Sequence, residues 1–339
     1  MEGISDVQEL KASLRRLHGF PICMQRLIQN GSALDSSIKI DGPLELELVL
    51  LSPSTDVQRK RAQEEFAESC KQGYLEVAKM LLQAGVTVDE NFFCRGNPAL
   101  MLAAEHGHME IAQMLLEAGA DKDMRNRGGD TVLMLAAENG HVQITRLLLE
   151  AGADKDRENR QMDTALLLAA KNRHVTVVQL LLEAGANSDH ENWGGTALMH
   201  AAKNGHLEIV RLLLEAGANK DRAKRGFRTA LMLAAANGYV EIAKLLVQSG
   251  ANTDAQNRGG NTALMLAAEN GHVEIAKLLL RAGAKKDSVN REGDTAAILA
   301  ASNDHMEIVQ LFSANNEQEK RCGNTCWQPR GRSCRKQAR

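Results

Sequence analysis

The chain has 339 residues, a formal net charge of −2 and an unusually low aromatic content of 3%. No apolar run approaches the roughly 20 residues that a membrane-spanning helix needs, and the six cysteines lack the spacing of a disulfide framework. These features argue against a membrane-spanning or disulfide-rich secreted protein. We expect an intracellular protein without a membrane span, in the cytoplasm, the nucleus or both.

The first 51 residues differ in pattern from the rest of the chain. Four apolar residues have the spacing of one helix face, and Gly19 follows at the predicted end of that helix. Residues 25–29 and 44–51 each have the composition of a short β-strand, and leucine alternates with glutamate in the second. Residues 52–57 form a polar linker. The apolar residues of the helix are Val7, Leu10, Leu14 and Leu17.

Between residues 58 and 313 the chain repeats a pattern with a period close to 33 residues. Successive copies share a turn position, and neighbouring turns are 32 to 34 residues apart. A fixed period of this length is typical of a stacked array, because one copy is too small to bury its own apolar face. The turn residues are Gly73, Gly107, Gly140, Arg173, Gly205, Gly238, Gly271 and Asp304.

Each copy has the pattern of two short helices joined by a turn. In one copy, the hydroxyl of Thr131 is placed to cap the first helix, and Gly140 ends it. In the second copy, Pro98 occupies the threonine position, so we expect Asn97 to cap the helix instead. Turn-forming residues then lead to the next copy. The second helix after Thr131 has an apolar face formed by Ile144, Leu147 and Leu148.

This pattern resembles the ankyrin repeat, whose unit opens with Thr-Pro-Leu-His, turns at Gly-His and closes its second helix with Leu-Leu and Gly-Ala. The resemblance covers residues 58–313. It implies a mostly α-helical solenoid of about eight helix-turn-helix units that binds proteins and has no enzymatic activity or cofactor. The chain departs from the family at Arg173 and Asp304, which replace the turn glycine. If the turn needs a positive φ, both residues are strained.

The segment 1–51 resembles the ubiquitin-like β-grasp domain from its helix onward, so a small α+β fragment is implied at the N-terminus. In that family, Ile28 and Val49 would belong to a partner-binding patch. The first hairpin of the fold has no counterpart here. Either the true start lies upstream or the fragment is supported by the first repeats. The resemblance is carried by residues 7–11, 19–21, 25–35 and 46–50.

Partners of ankyrin repeats usually contact the hairpin tips and the inner face of the first helices. Trp193 and Phe227 occupy tips, where no core is available to bury them, and exposed Trp and Arg are favoured interface anchors. Stacking would bring the two aromatics together in a basic rim, which favours an acidic, partly apolar peptide. The alternative is that the tip charges serve solubility alone. The predicted contacts are Arg127, Arg160, Lys171, Trp193, Lys203, Arg225, Phe227, Arg228 and Arg258.

The recurring histidines and the C-terminal tail leave other interpretations open. A histidine follows most turns and suggests a metal ladder, but histidine is also the residue that ankyrin repeats have there. Residues 314–339 form a basic tail that we expect to be disordered. Its three cysteines, Cys322, Cys326 and Cys334, lack a clear fourth zinc ligand.

The function therefore has three interpretations. The first is a scaffold, expected to be a monomer, that binds a protein partner. The second is an adaptor that binds ubiquitin-pathway proteins through the N-terminal segment. The third is a protein associated with nucleic acid or with an enzyme, whose active part is the basic tail or lies outside this chain.

Overall fold

The structure is a computed structural model, and it describes residues 6–29, 32–35, 47–50, 52–89, 97–223 and 228–313. The chain divides into two compact units, an N-terminal unit of residues 1–197 and a C-terminal unit of residues 198–339. The described parts of both units are mostly helical, as the sequence predicts.

The helices follow the period of the sequence, two for each complete repeat. The N-terminal unit contains α1 (Val7–His18), α2 (Asp56–Gln72), α3 (Leu75–Gln83), α4 (Ala99–His106), α5 (Met109–Glu117), α6 (Val132–Glu138), α7 (Val142–Glu150), α8 (Ala165–Lys171) and α9 (Val175–Glu183). Helix α10 (Ala197–Asn204) begins at the last residue of that unit. The C-terminal unit contains α11 (Leu207–Glu215), α12 (Ala230–Asn237), α13 (Val240–Gln248), α14 (Ala263–Glu269), α15 (Val273–Arg281) and α16 (Ala296–Ser302), and residues 306–313 are also helical.

The N-terminal segment forms α1, a short 3-10 turn and a three-stranded antiparallel sheet. Helix α1 ends at Gly19, which has a φ of 72°. Strand β1 (Gln25–Gln29) lies between β2 (Ser32–Ala33) and β3 (Glu47–Leu50) and pairs with both. The predicted helix and first strand are confirmed. A second strand is predicted over residues 44–51. Residues 47–50 form a strand in the structure, and residues 44–46 and 51 lie outside the described part.

This segment packs against α2 of the first repeat. The Glu65 carboxylate accepts hydrogen bonds from the backbone N–H groups of Ile22 and Cys23, each at 2.8 Å. Arg15 Nε lies 3.6 Å from the same carboxylate, and its guanidinium lies 4.8 Å from the centre of the Tyr74 ring. Two backbone N–H groups and the Arg15 guanidinium therefore converge on the largely buried Glu65 carboxylate. These contacts hold the described part of the N-terminal segment against the first repeat.

Threonine caps begin most of the first helices, as predicted. Thr131 Oγ1 accepts a hydrogen bond from the N–H of Met134 at 3.3 Å, and the Met134 sulfur accepts one from the N–H of Thr131 at 3.4 Å. Thr262 and Met265 repeat this arrangement at the same distances. A thioether is a weak acceptor, but it occupies the place where the ankyrin pattern has histidine.

The prediction that Asn97 caps α4 is wrong. The residue before α4 is Pro98, and no side chain caps that helix. The Asn97 side chain is buried, and its Nδ2 donates to Glu105 Oε2 at 3.2 Å. Its amide is therefore committed to a carboxylate on the helix rather than to the free N–H groups at the helix start.

Helices of the same kind stack on one another within each unit. In the N-terminal unit, α2, α4, α6 and α8 contact in succession, as do α3, α5, α7 and α9. In the C-terminal unit, α12, α14 and α16 form one stack and α11, α13 and α15 another. The first helices approach closely because alanines such as Ala136 and Ala137 have no exposed surface and little volume. Leucine and alanine thus supply a core with few aromatics.

A histidine hydrogen bond joins consecutive repeats within each unit. The Nε2 atom of each histidine reaches back 36 or 37 residues to a main-chain carbonyl near the end of the preceding first helix. Helix ends leave such carbonyls without an intrahelical partner, so the ring supplies the missing donor. The histidine role is therefore structural in these five cases. The pairs are His108 with Lys71 (2.9 Å), His141 with Glu105 (3.1 Å), His174 with Glu138 (2.8 Å), His272 with Ala236 (3.2 Å) and His305 with Glu269 (3.1 Å).

The turn position adopts the left-handed conformation in both units. Gly107 has a φ of 81°, and a Cβ added there would lie 2.6 Å from the His141 ring. Arg173 has a φ of 64° and Asp304 a φ of 60°, so the strain predicted for both is confirmed. Met162, with a φ of 62°, is a third strained residue that the sequence analysis did not identify.

Replacing Arg173 by glycine should stabilise the protein by about 1 kcal/mol. An L-residue in this conformation costs roughly 1–2 kcal/mol, and the greater freedom of glycine in the unfolded chain offsets part of the gain. Urea unfolding of the full chain measures the change. Arg146→Gly is the control, because Arg146 is exposed within α7 and glycine inside a helix costs about 1 kcal/mol. Equal losses in both variants would contradict the strain at Arg173.

Two glycine-to-alanine variants distinguish the cost of backbone strain in the turn from the cost of displacing the histidine ring. Gly107 and Gly119 both have positive φ, but a Cβ at Gly119 would meet nothing within 4 Å. Gly107→Ala should therefore cost more than Gly119→Ala by about 1–3 kcal/mol, because displacing the His141 ring leaves a carbonyl unsatisfied. Denaturant midpoints of the two variants give the difference. Equal destabilisation would show that the ring moves aside without losing its hydrogen bond.

Candidate functional site

A recurring asparagine shapes the hairpins that carry the predicted binding residues. Asn159 Oδ1 accepts hydrogen bonds from the N–H groups of Gln161 at 2.9 Å and Asp163 at 2.8 Å. Its Nδ2 donates to Asp130 Oδ1 of the preceding hairpin at 2.7 Å. The backbone adds a second link, from Arg160 N–H to Gly128 O at 3.0 Å. Each hairpin is thus fixed internally and tied to its neighbour.

The same asparagine recurs in both units. In the C-terminal unit, Asn290 Nδ2 donates to Asn261 Oδ1 at 3.0 Å. This hydrogen-bond network was not predicted from the sequence, although the asparagine recurs at a spacing of 33 within most of the array. The signal was present in the asparagines at positions 126, 159, 192, 257 and 290.

A groove of about 610 Å³ lies between these hairpins and the first helices of the N-terminal unit. Leu135 of α6 is its apolar component, and the remainder of its lining is polar or charged. It lies between the two predicted contact surfaces, the hairpin tips and the inner helix face. Its lining residues are Asn97, Glu105, Asn126, Arg127, Gly128, Asp130, Leu135, Glu138, Asn139 and Asn172.

Negative charge accumulates around Glu138 in this groove. Burial raises the pKa of the Glu138 carboxyl, and the charges of Asp130, Asp163 and Glu105 raise it further, while Lys171 lowers it. Within the part of the chain that the structure describes, the Glu138 carboxylate forms no hydrogen bond or ion pair. The Glu138 side chain is exposed, so solvent screens the like charges around it.

The neighbouring aspartates differ from Glu138 because each has partners. Asp130 accepts hydrogen bonds from Asn126 at 3.1 Å and from Asn159. Asp163 is 6% exposed, lies 2.6 Å from Lys171 Nζ and accepts a hydrogen bond from Asn192. These aspartates therefore hold the hairpins in place, and the charge of Lys171 is used inside the protein.

The predicted contact residues fall into four groups. Trp193 lies in the turn between β4 (Glu191–Asn192) and β5 (Gly195–Thr196), and its side chain is 60% exposed. Lys171 is held by Asp163, as described above. Phe227 and Arg225 lie outside the described residues, so their predicted proximity to Trp193 stays a prediction. The other predicted contacts have exposed side chains: Arg127 and Arg160 in the N-terminal unit and Lys203, Arg228 and Arg258 in the C-terminal unit.

Ile28 and Val49 lie on the same face of the N-terminal sheet. In the antiparallel register, Arg26 is opposite Val49 and Ile28 is opposite Glu47, and residues two apart on a strand share a face. Both side chains are half-buried, whereas Leu27 on the opposite face is 2% exposed. The basic tail with its three cysteines lies outside the described residues.

The family model for ankyrin repeats matches the chain in three copies, over residues 66–159, 133–224 and 221–290. The chain belongs to the ankyrin-repeat family. A comparison with curated protein sequences finds no match.

Solved structures of other ankyrin-repeat proteins are similar to this one. The ankyrin repeat domain of Bcl-3, described as a unique member of the IkappaB protein family, is 31% identical with a TM-score of 0.57, and the match covers 64% of this chain and 99% of that one. The human ASB11 ankyrin repeat domain is 29% identical with a TM-score of 0.56, and the match covers 60% and 92%.

Membership of the family confirms the predicted ankyrin-repeat solenoid, because the chain is mostly helical and has these neighbours. The ubiquitin-like character of residues 1–51 stays a prediction. Ankyrin repeats are generally protein–protein interaction modules. Within the described ranges, no helix is long and apolar enough to cross a membrane. In the same ranges, no three His, Cys, Asp or Glu side chains are grouped so that they could hold a metal ion.

Glu138→Gln should raise the melting temperature at neutral pH. Folding raises the pKa of the Glu138 carboxyl above its ordinary value of 4.5. At a pH well below 4.5 the carboxyl is therefore protonated in both the folded and the unfolded protein, and the variant is no more stable than the original protein. As the pH rises through 4.5, the carboxyl ionises first in the unfolded protein, and the original protein begins to lose stability. That cost is complete above the folded pKa, where glutamine removes it.

Thermal unfolding at about pH 3.5 and about pH 8 checks this dependence. Glu150→Gln is the matched control, because Glu150 ends α7 of the same repeat and is exposed like Glu138, but it does not line the groove. We expect its effect to be small at both pH values. A lower melting temperature for Glu138→Gln at the higher pH would mean that the carboxylate makes a stabilising contact.

Proposed function

We propose that this protein is a non-enzymatic scaffold that binds a protein partner through the hairpin tips and the inner face of the first helices. Support comes from the family, whose repeats are generally interaction modules, and from one observation on this chain. Trp193 keeps 60% of its surface exposed at the tip of an ordered hairpin. Trp is the residue type most enriched among the anchors of protein interfaces.

The hairpin presents Trp193 in a fixed position. Asn192 Oδ1 accepts hydrogen bonds from the N–H groups of Gly194 at 2.7 Å and Gly195 at 3.0 Å, and the flanking residues pair as strands. Because the backbone is already ordered, a partner that covers the indole loses little conformational freedom. Burying a Trp side chain removes up to about 250 Å² from water, so this residue can anchor an interface.

The other predicted contact residues divide by role. Arg127 and Arg160 in the N-terminal unit, and Lys203, Arg228 and Arg258 in the C-terminal unit, remain the predicted contacts because their side chains are exposed. Rim charges of this kind mainly change association rate and salt dependence. Lys171 instead positions Asp163 and is not expected to leave it for a partner.

A second candidate function is binding to ubiquitin-pathway proteins through the N-terminal segment. The observation in its favour is that Ile28 and Val49 share one face of a sheet in the order β2-β1-β3. That arrangement is compatible with the ubiquitin-like resemblance of residues 1–51. On this interpretation the segment, rather than the repeats, carries the partner-binding surface.

Affinity capture with the full chain as bait tests both candidates. We expect Trp193→Ala to weaken binding of the captured partner at least tenfold, about 1.4 kcal/mol, with a nearly unchanged melting temperature because the indole is mostly exposed. Met306→Ala is the control, since this side chain is 57% exposed on the last helical stretch. Normal binding by Trp193→Ala would contradict the anchor. If the double variant Ile28→Ala, Val49→Ala alone loses the partner, the second candidate is favoured.

A further inference from the structure

Four kinds of hydrogen bond recur between consecutive repeats, and in each kind the later repeat donates to the earlier one. The donors are the turn histidine, the hairpin asparagine and two backbone N–H groups. Each repeat therefore offers a set of acceptors to the repeat that follows it. In the last two repeats of the C-terminal unit, the pairs are His305 Nε2 with Glu269 O (3.1 Å), Asn290 Nδ2 with Asn261 Oδ1 (3.0 Å), Lys285 N with Asp254 Oδ1 (2.9 Å) and Arg291 N with Gly259 O (2.9 Å).

The last repeat has the same acceptors, but three of them have no donor. The residues that follow the first three acceptors by 33 positions are Ser302, Asp294 and Asp287. Within the residues that the structure describes, the Ser302 carbonyl and the two carboxylates accept no hydrogen bond and form no ion pair. The end of the C-terminal unit therefore presents acceptors, two of them charged, without the donors that meet them between other repeats.

The same end of the unit exposes apolar residues that other repeats bury. Ile298 is 49% exposed, whereas Met265 at the equivalent position of the preceding repeat is 1% exposed. Ala301 is also exposed, whereas Ala268 is fully buried. Terminal repeats normally have a polar outer face, but this one keeps the residues of an internal repeat. We call this surface the end face, formed by Asp287, Asp294, Ile298, Ala301 and the Ser302 carbonyl.

Complementarity in charge and hydrogen bonding decides what can cover the end face. Two copies of the chain that met through it would place acceptors against acceptors and carboxylates against carboxylates. A complementary occupant must instead supply N–H donors, positive charge and apolar surface. An arginine guanidinium has several N–H donors and no acceptor, and a tryptophan side chain buries up to about 250 Å².

The chain that follows the last helical stretch has this composition. Residues 320–339 contain Trp327 and no acidic residue. About 14 residues separate Trp327 from Ser313, a length that spans up to about 50 Å, whereas helix α16 is about 10 Å long. The tail can therefore reach all of the end face, and covalent attachment gives it a high effective concentration there. Its basic residues are Lys320, Arg321, Arg330, Arg332, Arg335, Lys336 and Arg339.

We propose that the basic tail, residues 314–339, binds the end face of the C-terminal unit. Trp327 covers Ile298 and Ala301, and arginines of the tail donate hydrogen bonds to the Ser302 carbonyl and the Asp294 carboxylate. The tail has too few apolar residues to form a core of its own, and the end face supplies the apolar surface that it lacks. The contact lies within the chain, so it is independent of the scaffold's partner.

The fluorescence of Trp327 in the full chain tests this contact. The chain has two tryptophans, so Trp193→Phe leaves Trp327 as the reporter. Acrylamide should quench it at least about twofold less than in a synthetic peptide of residues 320–339, because a covered indole is shielded from solvent. Adding Ile298→Asp should raise quenching to nearly the level of the peptide. Leu17→Asp is the control and should leave quenching unchanged, since Leu17 is a 73% exposed leucine of α1 in the other unit.

Asp294→Asn is a second variant, and it should fold because asparagine already occupies the equivalent position 261. It keeps an acceptor and removes the charge, so quenching should rise by less than in Ile298→Asp. If Ile298→Asp fails to fold, the result for Asp294→Asn decides. Quenching of Trp327 as strong as in the peptide, or equal effects of Ile298→Asp and Leu17→Asp, would overturn the inference. Sedimentation velocity tests the other occupant, because a dimer that Ile298→Asp converts to a monomer would assign the end face to a second copy instead.

Discussion

The repeats of each unit depend on the hydrogen bond between a histidine ring and a carbonyl of the preceding repeat. It satisfies a helix end, and it fixes the distance between neighbouring turns. His141 reaches Glu105 O in this way, and Gly107 must lack a side chain because a Cβ would lie 2.6 Å from the ring. The turn position therefore needs both a left-handed backbone and room for the histidine ring of the next repeat. These two requirements explain why glycine fills the turn in most repeats. Arg173 and Asp304 adopt the same conformation without glycine, so local strain is tolerated there.

The repeat array could be predicted from the sequence because its signals are local and periodic. Threonine caps, turn glycines and leucine spacing each act within one repeat, and they recur in most repeats. Asn97 shows where this reasoning fails. A cap was predicted because Pro98 displaced the threonine, but the amide is directed to Glu105, eight residues away. The asparagine network of the hairpins was missed for a related reason, since its partners lie 29 residues apart and only stacking brings them together.

The candidate site was predicted in part. The exposed position of Trp193 followed from its place in a hairpin tip, because such a tip has no core. The role of Lys171 could not be predicted, since its partner Asp163 belongs to the preceding hairpin segment and depends on how that hairpin folds back toward α8. The charge balance of the groove could not be predicted either. It depends on which carboxylates find partners, and a formal count of charges along the chain does not contain that information.

The paired aspartates and Glu138 have different roles in the groove. Asp130 and Asp163 are needed to hold neighbouring hairpins, so substituting them would change structure and binding together. Glu138 has no such task, and its pKa is raised first by burial and then by the neighbouring carboxylates, so its charge opposes folding. Glu138 can therefore be replaced while the hydrogen bonds that hold the neighbouring hairpins stay unchanged.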